Sequence, residues 1–262
     1  MIPLKDQELI RAKFAAELMG PVKIDLFVER DLGITVPGKR PCQYCKPTEE
    51  MMRELAGLHP MISLRIHQIE DTPAEGETYG IERVPAIVLR GMDMGAPSVL
   101  EGGAGPRPYV KFYGIPAGTE FPSFLETIGD VSRREVLLSE ESIGNLIQIA
   151  VEVSVKVFTT PTCPYCPAVA RIVSQMAMVN PMIRSEVIEV SEFPELAERY
   201  NVKAVPLTVI GERASIPGMV PEEKLVEEVV KAAALAGESA AAGPAGKQIE
   251  RGKERPSGLV IP

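Results

Sequence analysis

"TTPTCPYCP" at residues 159–167 decides how this chain is read. Two cysteines stand three positions apart behind a β-branched, strand-like run, "VSVKVF" at 153–158. A helical pattern follows them to about Val179. "RPCQYCKP" at 40–47 repeats the arrangement, and the two motifs hold all 4 cysteines of the 262-residue chain. Such pairs are either the halves of one metal clamp or two separate dithiols. Paired zinc ligands usually lie about 15–20 residues apart, but 117 residues separate Cys45 from Cys163. Each pair also has its own strand–helix junction, which favours dithiols.

The chain is a repeat. Cys42 and Cys163 are 121 residues apart, and the same offset carries "YGIERVPAIVL" (79–89) onto "YNVKAVPLTVI" (200–210). "ISLRIHQIED" (62–71) falls on "IRSEVIEVSE" (183–192). One register held from the CxxC to the proline implies two copies of one domain. In the second copy the expected order is a strand, the CxxC helix, the strand "IRSEVIEV" and the short helix "EFPELAERY". A hairpin from "AVPLTVIG" and "RASIP" and the amphipathic helix "PEEKLVEEVVKAAALA" complete it. The first copy runs likewise through "VKIDLFV", its CxxC helix, "MISLRIHQI", the hairpin of "VPAIVLRG" and "YVKFYGIP", and "EFPSFLETIGDV". A further helix precedes each unit, near 5–19 and 140–150. The joint "SRREVLLSE" has no glycine and is expected to be stiff. The symmetry breaks twice: Phe27 precedes Cys42 by 15 residues, whereas Phe158 precedes Cys163 by 5. The first unit therefore carries ten extra residues in its 28–41 loop, and also a long Gly/Pro-rich loop at 91–108.

A helix start is a chemically useful place for a cysteine. Unpaired backbone N–H groups and the positive end of the dipole favour a thiolate there. Such sites lower a thiol pKa from about 8.5 into a range of about 3.5–7.5. On this reading Cys42 and Cys163 are the nucleophiles. Cys45 and Cys166, one turn on and more buried, close the disulfides Cys42–Cys45 and Cys163–Cys166 and resolve mixed disulfides. The second centre is expected to be the more exposed, since the long loop precedes the first.

Composition narrows the function classes. A net charge of -8 gives no basic face for general nucleic-acid binding. No apolar run is long enough to span a bilayer. The N-terminal "MIPLKDQELIRAKFAAELMG" lacks the continuous apolar stretch of a secretory signal and reads as an amphipathic helix, so the chain is expected to be cytoplasmic. Cytosolic disulfides are mostly catalytic, except in hyperthermophiles. The absence of tryptophan, few amide side chains and 24 prolines fit a thermophile.

With these residues in view, "TTPTCPYCP" resembles a glutaredoxin active site. The tandem "CQYC" and "CPYC" units, joined through "FYGIPAGTEFPSFLETIGDVSR", resemble the two-unit, glutaredoxin-like protein disulfide oxidoreductases of hyperthermophiles, in the thioredoxin superfamily. The resemblance covers roughly residues 5–236. It implies an α/β fold of two tandem thioredoxin-fold units, each a mixed central sheet flanked by helices: residues 1–133, then 134–236. The Ala/Gly-rich, then charged composition from Gly237 reads separately as a flexible tail at 237–262. The resemblance also implies dithiol–disulfide exchange on protein substrates, no bound cofactor, and electrons from a thioredoxin-reductase-like flavoprotein using NADPH. In thioredoxin folds a cis-proline faces the CxxC; Pro85 and Pro206, each 43 residues after the first cysteine of its pair, occupy that place. The backbone of Val84 and Val205 would then pair with an extended substrate by strand addition. Tyr44 and Tyr165 flank the substrate or pack the helix start.

The extra residues before Cys42 and the tail depart from the family pattern. So does Val157, which stands where the buried acid beneath a thioredoxin CxxC is sought. His59 and His67 have no counterpart in the second copy and read as structural or surface residues, not bases. The methionines at 51, 52, 176 and 178 read as core. Two alternatives remain: a glutathione-dependent glutaredoxin, or, outside the enzymes, a zinc or iron–sulfur binding module.

Overall fold

The computed structural model describes residues 2–30, 41–91, 110–212 and 214–241. Most of the extra residues before Cys42, the loop at 92–109 and the chain after Ala241 lie outside the described residues. In the first unit α1 (Leu4–Glu17) precedes β1 (Val22–Val28), α2 (Cys45–Ala56), β2 (Ile62–Gln68) and α3 (Pro73–Tyr79); β3 (Ala86–Gly91), β4 (Val110–Tyr113) and α4 (Glu120–Arg133) complete it. The second unit repeats the order: α5 (Glu140–Leu146), β5 (Val153–Thr159), α6 (Cys166–Val179), β6 (Ile183–Glu189), α7 (Pro194–Arg199), β7 (Leu207–Ile210), β8 (Ala214–Pro217) and α8 (Glu222–Ala241).

Each unit is a thioredoxin-type mixed sheet. β1 pairs parallel with β2 and antiparallel with β3, which pairs antiparallel with β4; β5, β6, β7 and β8 do the same. β1 and β5 are central strands covered on both faces, so they read as nearly continuous β-branched and apolar runs. The two sheets are one. β4 pairs parallel with β6, setting Lys111, Phe112 and Tyr113 against Glu186, Val187 and Ile188. The order across eight strands is β2-β1-β3-β4-β6-β5-β7-β8. Joining edge to edge removes two strand edges that would otherwise stand unpaired.

Charge marks the seam. Lys111 is buried, with Nζ 2.7 Å from Glu186 and within reach of the Tyr79 and Gly80 carbonyls. Lys156 approaches Glu186 at 3.3 Å from the other side. Burial opposes ionisation of Glu186, but the two lysines outweigh it and hold its carboxyl below the ordinary value.

Three apolar clusters fill the layers. One lies between α1, α2, α4 and the first half of the sheet, centred on Phe14, Leu26, Met52 and Phe124. A second unites α5, α6 and α8 with β5. The third covers the opposite face across both units, where Phe27, Tyr79, Phe158, Ile188 and Leu196 meet under α3 and α7. Each such side chain contributes about 1.5–3 kcal/mol on full burial.

Ten of the 14 residues of α4 are buried, because α4 is wedged between its own sheet and α6 of the second unit. Asp130 fastens this contact. Its Oδ2 accepts from Arg171 Nε at 2.8 Å and Gln175 Nε2 at 2.9 Å; its Oδ1 accepts from Arg171 at 2.8 Å and Arg133 at 2.9 Å. The joint that follows is tied to the second unit where the Leu137 N–H donates to Gln175 Oε1. One boundary differs from the sequence reading: α8 continues through Gly237 to Ala241 and takes in the first five residues of the expected tail. Glutamate and alanine there are good helix formers, and Gly237 lies against Val151.

Candidate active site

The four cysteines form the two expected pairs. Cys42 is bonded to Cys45 and Cys163 to Cys166, with Cα atoms 5.4 and 5.5 Å apart. β5 ends at Thr159, just before its motif, whereas the extra residues separate the end of β1 at Val28 from Cys42; α2 and α6 begin at Cys45 and Cys166, with Tyr44 and Tyr165 as their N-caps. Pro167 sits in the first turn of α6, where its missing N–H breaks no helical bond. Cys42 and Cys163 thus precede the helix start, where backbone amides lack intrahelical partners. At the second centre the Cys166 N–H points at Cys163 Sγ, 3.2 Å away, placed to stabilise charge on that sulfur. Cys45 and Cys166 are buried.

A Val–Pro turn stands at the end of the sheet where each of the strands β1 and β5 finishes, since Ala86 pairs with Phe27 and Leu207 with Phe158. The Val84–Pro85 and Val205–Pro206 bonds are both cis. Neither valine makes a backbone hydrogen bond among the described residues. Tyr165 is 59% exposed and Tyr44 38%. His67 is buried against Asp25 Oδ1 at 2.9 Å and stacked on Phe27, part of the core on the α3 side.

The expected order of exposure does not hold at the attacking positions. Cys163 is only 7% exposed, whereas Cys42 is partly exposed. The cause is the first unit. Its "GIPAGT" turn at 114–119 folds over the second motif. There the Thr119 N–H donates to the Pro161 carbonyl at 2.9 Å and Thr119 Oγ1 to the Cys163 carbonyl at 2.8 Å. Gly118 has φ +60, and a Cβ built there would overlap the Pro161 carbonyl. The approach therefore requires glycine.

That turn also brings an acid that the sequence reading missed. Ser123 donates to the Pro167 carbonyl at 3.1 Å, so Thr119 and Ser123 turn one face of α4 toward residues 163–167. Glu120, on the same face, is 3% exposed, and neither carboxylate oxygen has a hydrogen-bond partner among the described residues. Burial pushes its carboxyl up to about 7. Val157, by contrast, is a plain core residue. In sequence Glu120 is an ordinary first-turn glutamate; only the packing of α4 on α6 reveals it. Glu192 lies at the same seam, where burial likewise raises its carboxyl to about 7 and Oε1 accepts the Ile115 N–H at 2.8 Å. Among the described residues no cluster of three or more His, Cys, Asp or Glu is placed to hold a metal ion.

The comparisons agree with this geometry. Residues 153–231 match the family model described as thioredoxin domain. A thioredoxin of Methanocaldococcus jannaschii is 38% identical over 81 residues, 95% of its length and 30% of this chain. A protein named NADH dehydrogenase from Bacillus subtilis is 27% identical over 178 residues, but the chain spans only 30% of it. Among solved structures, a protein disulfide oxidoreductase from Aeropyrum pernix superposes with a TM-score of 0.74 at 24% identity, covering 89% of this chain and 94% of that one. The N-terminal N/C domain of alkylhydroperoxide reductase AhpF from Enterococcus faecalis gives 0.72 at 24%, covering 87% and 100%. Two folds of this type, each with a disulfide-bonded CxxC pair and the second matching nearly the whole length of a thioredoxin, place this chain in the thioredoxin family.

Proposed function

We propose that the chain exchanges dithiols with disulfides of protein substrates, with Cys42 and Cys163 attacking and Cys45 and Cys166 resolving. The observation that carries this is the shared placement of the pairs: a first sulfur ahead of the helix and a buried partner at its first residue. In the reducing direction the Cys163 thiolate attacks one sulfur of a substrate disulfide, and one substrate thiolate leaves. Cys166, deprotonated, then attacks Cys163 Sγ. The second substrate thiolate leaves and the Cys163–Cys166 disulfide remains, so the substrate gains two electrons and two protons. Glu120, its carboxyl poised near neutrality, takes and returns the Cys166 proton. Val84 and Val205, beside Pro85 and Pro206, offer backbone groups to an extended substrate, and Tyr44 and Tyr165 border its path.

A thioredoxin-reductase-like flavoprotein using NADPH restores the dithiols, in the cytoplasm. The sequence match to a protein named NADH dehydrogenase and the structural match to a reductase subunit support such a donor. No helix among the described residues is long and apolar enough to cross a membrane. The test is trapping. Cys166→Ser should accumulate a mixed disulfide at Cys163 with a disulfide-bonded test protein, and Cys163→Ser should not. Trapping by Cys163→Ser alone would exchange the assigned roles. Turnover with glutathione but not with a thioredoxin reductase and NADPH would support a glutaredoxin instead.

A further inference from the structure

The two centres differ in what receives the N–H of the attacking cysteine. At the second, the Cys163 N–H donates to the Thr160 carbonyl at 3.1 Å, a neutral acceptor. At the first, the extra residues intervene, and the Cys42 N–H donates to a side chain, Glu29 Oε2, at 3.0 Å. The Glu29 N–H in turn points at Cys45 Sγ, 3.3 Å away. Counted from Phe27 and Phe158, Glu29 and Thr160 are the same position of the repeat. One unit uses its carboxylate where the other uses its main chain.

Other charges near the first centre are of both signs. Arg30 pairs with Asp71, and its N–H reaches Glu70 Oε2. Lys46 lies in the first turn of α2. Arg83, next to Val84, pairs with Glu82 and Glu195. Glu29 is the charged side chain bonded to the CxxC backbone among the described residues.

We propose that Glu29 is a positioning residue that holds Cys42 and biases the first centre toward its disulfide, an asymmetry that the second centre lacks. A carboxylate beside a thiolate disfavours ionisation, and a thiolate stabilises the reduced state. Reduction of Cys42–Cys45 takes two electrons, with two protons below the thiol pKa values and one once Cys42 ionises. The charge on Glu29 acts on the thiolate alone. Its effect on the couple therefore vanishes well below the pKa of Cys42 and is complete above it. This rests on the reading of Cys42 as the attacking thiol.

The test is Glu29→Gln, which keeps an oxygen acceptor and removes the charge. Thiols are alkylated as a function of pH, identified by peptide mass, and the couple is titrated in thiol–disulfide buffers. Cys42 should ionise about one unit lower, a tenfold change. The first couple should become up to about tenfold easier to reduce at alkaline pH, about 30 mV, with no change at acid pH. The second couple and the melting temperature serve as internal controls and should not move. An unchanged Cys42 pKa, or a shift of equal size at every pH, overturns the proposal. If Cys45 is the thiol alkylated first, the attacking role itself is wrong and the inference falls with it, a result legible from the peptide.

Discussion

Glu120→Gln is the substitution whose consequence is most fully determined by the structure. The native carboxyl is buried without a hydrogen-bond partner among the described residues, and burial raises it from an ordinary 4.5 to about 7. The folded protein therefore keeps a proton that the unfolded chain releases between those values. The stability cost of Glu120 is absent below 4.5, grows as pH rises, and is complete above about 7. At about 1.4 kcal/mol per pH unit it reaches about 3 kcal/mol. Glutamine never ionises, so it removes this slope; its own unpaired amide adds a penalty that does not vary with pH. Glu192, also raised to about 7, is present in both proteins and cancels in the difference. Denaturant unfolding of native and variant protein from pH 4 to 8 should give a stability difference that moves by about 3 kcal/mol in favour of the variant. The same variant should lose reductase turnover at the second centre if Glu120 carries the Cys166 proton. A stability difference flat with pH would refute the buried, uncompensated carboxyl.

Two further substitutions probe the contact between the units. Asp130→Asn removes the charge that Arg171 and Arg133 share and turns one acceptor oxygen into an N–H2 donor facing Arg171 and Gln175; because the arginine side chains are 27% and 19% exposed and keep Glu126, Glu17 and Glu135 as partners, part of the loss is recovered. The cost should be roughly 2–3 kcal/mol, at or below the low end for a broken buried pair, lowering the melting temperature by about 5–10 °C in a calorimetric scan. Gly118→Ala places a Cβ in the left-handed region and against the Pro161 carbonyl. It should destabilise by roughly 2–4 kcal/mol and slow the second centre more than the first in site-isolated assays with the other pair changed to serine.

The repeat made most of the fold readable. A single offset placed both CxxC pairs, both Val–Pro turns and the strand order, because strand periodicity and turn prolines are local properties. The union of two sheets was not local. "YVKFY" and "IRSEVIEV" each read as a strand, but nothing in either says that Lys111 will meet Glu186 across a shared edge. The exposure of the two centres was misjudged for a related reason. The loop before Cys42 was visible in sequence, whereas the cover over Cys163 comes from Thr119 of the other unit. Glu120 and Glu29 were hidden differently: as sequence, one is a helix-start acid and the other follows a strand. Their chemistry arises from what the fold sets beside them.

The central claim is that each CxxC is its own reversible redox couple. It is tested most directly by titrating the intact protein across thiol–disulfide buffers, trapping the thiols and mapping them by mass spectrometry, with metal measured on the same samples. The account predicts two disulfides, Cys42–Cys45 and Cys163–Cys166, each forming and opening reversibly in metal-free protein. Thiols that resist oxidation until a stoichiometric metal is stripped, or that pair only between the two motifs, would contradict it.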